Sequence, residues 1–201
     1  HVNRRLIELQ KEYAKQLLEH VNQYTGLAYK DDPAIMTIQI ANEDSAFFTF
    51  KEITPENSRH PYVDEVKQRF NQFLKAKYGT EEQLKVAWTF EDQSGLSEEE
   101  NLELGSVKIP HIGILTQEFC EPMQKWEGIQ CPARYADFTE FLADINRSYY
   151  REMIDFLRGI GVKVPINTSN MSVGAADIES SMDADVMENN AYFNHPCSGP
   201  D

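Results

Sequence analysis

The chain contains no run of about 18 apolar residues, the length a helix needs to cross a bilayer, so no segment reads as a membrane span. It is also short of positive charge. Nineteen lysines and arginines stand against 33 acidic residues, a formal net charge of −14 at pH 7. Such a surface repels phosphate backbones and anionic lipid, which argues against nucleic-acid and membrane partners and remains compatible with a neutral ligand. Cysteine is scarce: three residues are too few and too odd in number for a disulfide framework. Cys120 and Cys131 flank a ten-residue loop and are able to pair, but with Cys197 left over free thiols are the simpler reading. His60, His111 and His195 lack a second ligand at metal-like spacing, so neither a catalytic metal nor a cofactor is expected. Ser45 and Ser169 lack the glycine-rich elbow of a serine hydrolase. No basic, apolar, small-residue leader opens the chain. It starts at His1 and enters a helix almost at once, and reads as a piece of a longer protein, which leaves export open.

What is present is an ordinary globular composition, 41% apolar and 26% charged over 201 residues, enough for one domain with a sizeable core. Leu6, Leu9, Tyr13, Leu17 and Val21 fall at spacings of three and four, which predicts an amphipathic helix over 4–23 ended by Gly26. Residues 34–41 form a short, almost wholly apolar run rich in β-branched side chains, the pattern of a strand covered on both faces in a parallel sheet. A helix follows Pro61, with Val63, Val66, Phe70, Phe73 and Leu74 inward and Gly79 as its stop. Thr80 with Gln83 makes a capping box for a short helix through Trp88, whose spacing from Leu84 marks it as core. Residues 91–133 show no steady period and read as a functional excursion, a rim or lid. A long helix runs from about 135 to 158 with Phe138, Phe141, Leu142, Ile145, Tyr149 and Ile154 inward. Residues 162–167 read as a second strand despite Pro165, which suits only a strand end. Residues 184–190 read as a third. The alternation predicts an α/β chain with a parallel sheet in a single domain.

Each strand ends in a polar cluster: Asn42-Glu43, the stretch 167–170, and Asn189-Asn190 through Tyr192. Ligands of parallel α/β folds bind beyond the carboxyl ends of the strands, so these clusters are the candidate site. A carboxyl hard against a buried strand is costly without a role, although an ordinary loop cap explains a single cluster equally well. Trp126 lies in the excursion and offers a face able to stack on a ring; Phe47, Phe48 and Phe50 are open between loop packing and a subsite wall.

At these residues the chain resembles a known family. The run from Leu9-Gln10-Lys11-Glu12-Tyr13-Ala14 through His20-Val21-Asn22, Tyr24-Thr25-Gly26 and Asp32-Pro33-Ala34 to Ile40-Ala41-Asn42-Glu43 is similar to the cellulase-like (family 5-like) glycoside hydrolases of clan A. So are Lys77-Tyr78-Gly79-Thr80 and the ending from Asp185 through Glu188-Asn189-Asn190-Ala191-Tyr192-Phe193 to His195-Pro196. The resemblance implies a partial (β/α)8 TIM barrel, from about helix three to strand six, and a retaining hydrolase acting on a poly- or oligosaccharide. It implies Glu43 as general acid/base, Asn42 on the sugar hydroxyl next to the reacting carbon, and Tyr192 hydrogen-bonded to a nucleophilic glutamate expected beyond Asp201. Where the family often has histidine, this sequence has Asn190, a candidate substrate contact that departs from the pattern. Two carboxyls about 5–5.5 Å apart cleave with retention, and an acid beside a second carboxylate has its pKa raised, which suits proton donation. A carbohydrate-binding relative without hydrolysis and a structural α/β domain are the alternatives.

Overall fold

The structure is a computed structural model and describes residues 1–50, 61–110, 131–172 and 174–191. Its first element, α1 (Arg4–Leu18), begins where the Asn3 side chain accepts the Leu6 amide hydrogen at 3.1 Å. The helix ends well before Gly26, because the chain turns back on itself: Val21 bridges Ala28 and the Asn22 amide donates to the Leu27 carbonyl at 2.9 Å. Gly26, at φ +70°, serves that turn instead.

The face of α1 that packs is not the stripe expected from the sequence. Leu6, Leu9, Tyr13, Leu17 and Val21 are exposed, Tyr13 to 66%, while Ile7 and Leu18 are buried. Two stripes compete on this helix, and polar pairing selects between them. Lys11 and Arg4 both reach Glu152 at 2.5 Å, and the Tyr149 hydroxyl donates to Gln10 Oε1 at 2.6 Å. These bonds turn Ile7, Gln10, Ala14 and Leu18 toward the long helix.

That helix, α5 (Pro132–Gly159), is the spine of the molecule, with proline at its start, where a missing N–H costs nothing. On one side lie α3 (Pro61–Tyr78) and α4 (Glu81–Ala87); Thr80 Oγ1 caps α4 by accepting the Gln83 amide at 3.3 Å. Phe70, Leu74, Leu84, Trp88, Phe138 and Leu142 fill the core between them. Trp88 is fully buried, as its spacing predicts, and donates Nε1–H to Asp137 at 2.7 Å. Asp137 also accepts from the Tyr78 hydroxyl at 2.7 Å and Lys77 at 2.8 Å, so one carboxylate ties α3 and the end of α4 to α5.

The reading of 91–133 as a rim or lid does not describe its first part. A two-residue turn at Glu91-Asp92, both at positive φ, joins β2 (Thr89–Phe90) to β3 (Gln93–Ser94) in a small hairpin. After it Leu96, Leu102, Val107 and Ile109 enter the main core. Residues 111–130, with Cys120 and Trp126, lie outside the described residues. Cys131 is a buried free thiol, 3.2 Å from the Trp88 carbonyl.

The parallel sheet is smaller than expected. β1 (Ile38–Ala41) pairs with β4 (Ile166–Ser169), Ile38 opposite Ile166 and Ala41 opposite Ser169. The apolar run begins in a turn at residues 33–34, the Asp32 carboxylate accepting the Ala34 amide at 2.9 Å, and residues 35–37 are irregular with Met36 at the surface. β4 starts after Pro165 and not at 162, because Arg158 donates to the carbonyls of Val162 and Val164, at 2.9 Å each, and takes them out of any ladder. The anticipated third strand over 184–190 is irregular. It follows β4 in the same direction, Asp185 N to Ile166 O at 3.0 Å and Asn190 N to Asn170 O at 2.7 Å. Between these contacts side chains replace the ladder: the Asp185 carboxylate takes the Ile166 amide at 2.7 Å and Glu188 takes Asn167 Nδ2 at 3.1 Å. A third parallel strand is therefore absent among the described residues.

Candidate active site

β1 alternates faces, as every strand must. Ile38 and Ile40 pack toward Leu18, Leu157, Val162 and Ile166, between the sheet and the helices. The strand ends at Ala41, and Asn42 and Glu43 follow at its carboxyl end. Glu43 sits in the left-handed region at φ 48°, a conformation that costs a residue with a Cβ and persists only when the surroundings hold it.

What holds it is a set of carboxamides, one directly after β4 and one from the irregular segment 184–190 beside it. Asn170, directly after β4 and 7% exposed, accepts the Glu43 backbone N–H on Oδ1 at 2.7 Å. Its Nδ2 donates to Asn42 Oδ1 at 3.1 Å. Asn190 donates Nδ2–H to Glu43 Oε1 at 2.5 Å. Asn42, Glu43 and Asn190, which the sequence puts forward separately, thus form one cluster with Asn170. Tyr192 and Trp126, also expected at the site, lie outside the described residues.

The segment leaving Glu43 is anchored from behind. Ser45 Oγ donates to Asp177 Oδ2 at 2.8 Å and accepts the Phe48 amide at 3.2 Å, capping α2 (Ala46–Phe50). Asn146, in the middle of α5, accepts the Ala46 amide at 2.8 Å and donates to Asp177 Oδ1 at 3.0 Å. Asp177 belongs to α6 (Ala175–Ser180), which packs along α5. The Tyr150 hydroxyl donates to the Asp44 carbonyl at 3.4 Å, and burial pushes its ionisation well above the ordinary tyrosine range. Phe47 is buried in the core and is no subsite wall.

Sequence reasoning missed Asn146 and Asp177, and it named Asn170 only within the polar stretch 167–170, without a role. The signal for Asn146 was available, an amide on the inward face of a long apolar helix. Among the described residues no group of three or more His, Cys, Asp or Glu side chains is arranged to hold a metal.

A carboxyl that accepts from a carboxamide suits proton exchange with a neutral group, and sequence comparison agrees in kind: the chain is a glycosidase, and its ligand is a carbohydrate. Residues 1–199 match the model of glycoside hydrolase family 42, described as beta-galactosidase, and the chain belongs to that family. No curated protein and no solved structure matches it. The resemblance to cellulase-like enzymes therefore holds for the clan of retaining barrel glycosidases, while the family matched is the beta-galactosidase one.

Proposed function

We propose that this chain carries the proton-donating half of a retaining β-galactosidase, with Glu43 as general acid/base. The observation that carries the reading is the placement of Glu43: at the carboxyl end of a covered parallel strand, in a left-handed conformation, with Asn190 on its carboxyl and Asn42 beside it. In this reading β1 and β4 are neighbouring strands of a (β/α)8 barrel, and 184–190 runs where the next strand would lie. Glu43 protonates the departing glycosidic oxygen while a second carboxylate, following a strand beyond the described residues, attacks the anomeric carbon. The deprotonated Glu43 then takes a proton from water, which releases the sugar with retained configuration. Asn42 holds the hydroxyl next to the reacting carbon, and Tyr192 and Trp126 are further candidates for substrate contact.

Glu43→Gln in the intact enzyme tests this. The amide keeps the shape but donates no acidic proton, so turnover of an alkyl β-galactoside should fall about 10²–10⁴-fold. An aryl β-galactoside with a good leaving group should still form the glycosyl-enzyme, and added azide should restore its turnover. Equal losses on both substrates without azide rescue would show a structural role for Glu43.

A further inference from the structure

Asn170 entered the sequence-based site only as the last residue of the polar stretch 167–170, with no role of its own, yet it touches both Asn42 and Glu43. We infer that Asn170 is a positioning residue that fixes the polarity of Asn42, so that Asn42 meets the substrate as a hydrogen-bond donor. This rests on the assignment of Glu43 and Asn42 given above.

The inference follows from a chain of obligatory donors and acceptors. A backbone N–H can only donate, so the Asn170 atom 2.7 Å from the Glu43 nitrogen must be the oxygen. The Asn170 side chain therefore turns its NH2 group toward Asn42, 3.1 Å away, and the Asn42 atom that meets it must be an oxygen. Gln39 Nε2 approaches the same Asn42 oxygen at 3.4 Å, which reinforces the orientation. The Asn42 NH2 group has no partner among the described residues and Asn42 is exposed, so the donor end is the one offered to a ligand. Carboxamide ends look alike in size, and without such a relay either could face the sugar. Asn170 is buried to all but 7% and is itself held, its carbonyl accepting the Asn190 amide at 2.7 Å. The relay thus starts from fixed backbone and ends on one exposed donor. It serves a hydroxyl oxygen that accepts, and hydrogen bonds to that hydroxyl strengthen as the glycosidic bond breaks.

The test compares a β-galactoside with the analogue lacking the hydroxyl next to the reacting carbon, in the full-length enzyme. In the parent enzyme removal of that hydroxyl should lower kcat/KM strongly. Asn170→Asp still accepts the Glu43 amide but cannot donate to Asn42, which must then turn its NH2 inward and present its oxygen. The expected result is a drop of the hydroxyl dependence by about tenfold, the worth of one good hydrogen bond. Asn170→Ala should cut turnover of the complete substrate about 10²-fold through displacement of Glu43. Asn170→Ser gives the same substrate comparison if the aspartate variant does not fold. An unchanged hydroxyl dependence in these variants, with only a lower melting temperature, would overturn the inference. Glu43→Gln measured alongside keeps the two claims apart: loss of azide rescue there speaks against the acid/base, whereas the substrate ratio speaks only to Asn170.

Discussion

Arg134 and Glu100 form a two-point ion pair, Nη1 to Oε2 at 2.9 Å and Nη2 to Oε1 at 2.5 Å, with both side chains buried. Arg134 also donates to the carbonyls of Gly95 and Lys108, at 2.9 and 2.5 Å, and lies over the Trp88 ring. A loop with almost no regular structure is thereby fastened to the start of α5.

This pair gives the fold a pH dependence of definite sign. Burial alone would push the Glu100 carboxyl up, but the hydrogen bonds and charge of Arg134, with the amides of Ser97 and Lys108, outweigh it and hold the carboxyl below its ordinary value of 4.5. A carboxyl depressed in the folded state stabilises that state above its unfolded pKa. The contribution is lost as pH falls through the lower, folded value. Urea midpoints of residues 1–201 should therefore decline below about pH 4.5, and decline less steeply in Glu100→Gln. That variant strands a buried guanidinium and should cost about 3–5 kcal/mol at pH 7. An equal acid slope in both proteins would contradict the assignment.

Gly95 sits where no side chain fits. A Cβ there would lie 2.6 Å from the Trp88 carbonyl oxygen and 2.7 Å from Cys131 Sγ. Gly95→Ala must push backbone away from Trp88, and overpacking of this kind costs about 1–3 kcal/mol. Thermal unfolding of the variant should show a clear drop in melting temperature, and an unchanged one would mean that the hairpin yields freely.

The orientation of α1 is checked by a pair of substitutions on opposite faces. On residues 1–201, Ile7→Ala should cost about 2–5 kcal/mol, since Ile7 is 6% exposed beside Tyr149 and Met153. Tyr13→Ser, on the exposed stripe, should stay within about 0.5 kcal/mol. Denaturant titration of both proteins decides, and the reverse ranking would restore the face read from the sequence.

The long helices were legible because their limits carry local chemistry: Pro132 opens α5, Thr80 caps α4, and Gly79, at φ +76°, follows α3. The hairpin at 89–94 was not, since its turn residues, Glu91 and Asp92, carry no glycine signal. The start of β4 was misread because Val162 and Val164 have the composition of a strand, whereas Arg158, on the preceding helix, claims their carbonyls. For α1 the period was right and the face wrong, which only its tertiary partners could decide. At the site, Asn42-Glu43 stood out as the polar end of an apolar run. Asn170 stood out only as one of the polar stretch 167–170 and its role did not, because that role lies in bonds to residues 127 and 128 positions away. No local pattern encodes such a pairing.

Asp185 gives Ile166 both of its outward hydrogen bonds, its amide to the carbonyl and its carboxylate to the amide. One residue so placed does the work of a neighbouring strand at that point. An uncovered strand rim is a template on which another chain can polymerise, and a carboxylate seated in it is a plug. The plug comes from only 19 residues away in sequence, so it can close soon after β4 forms. Its negative charge, shared with Arg158, also repels the like-charged copies of a protein with a net charge of −14. Asp185→Asn should thus reveal itself as faster aggregation during refolding.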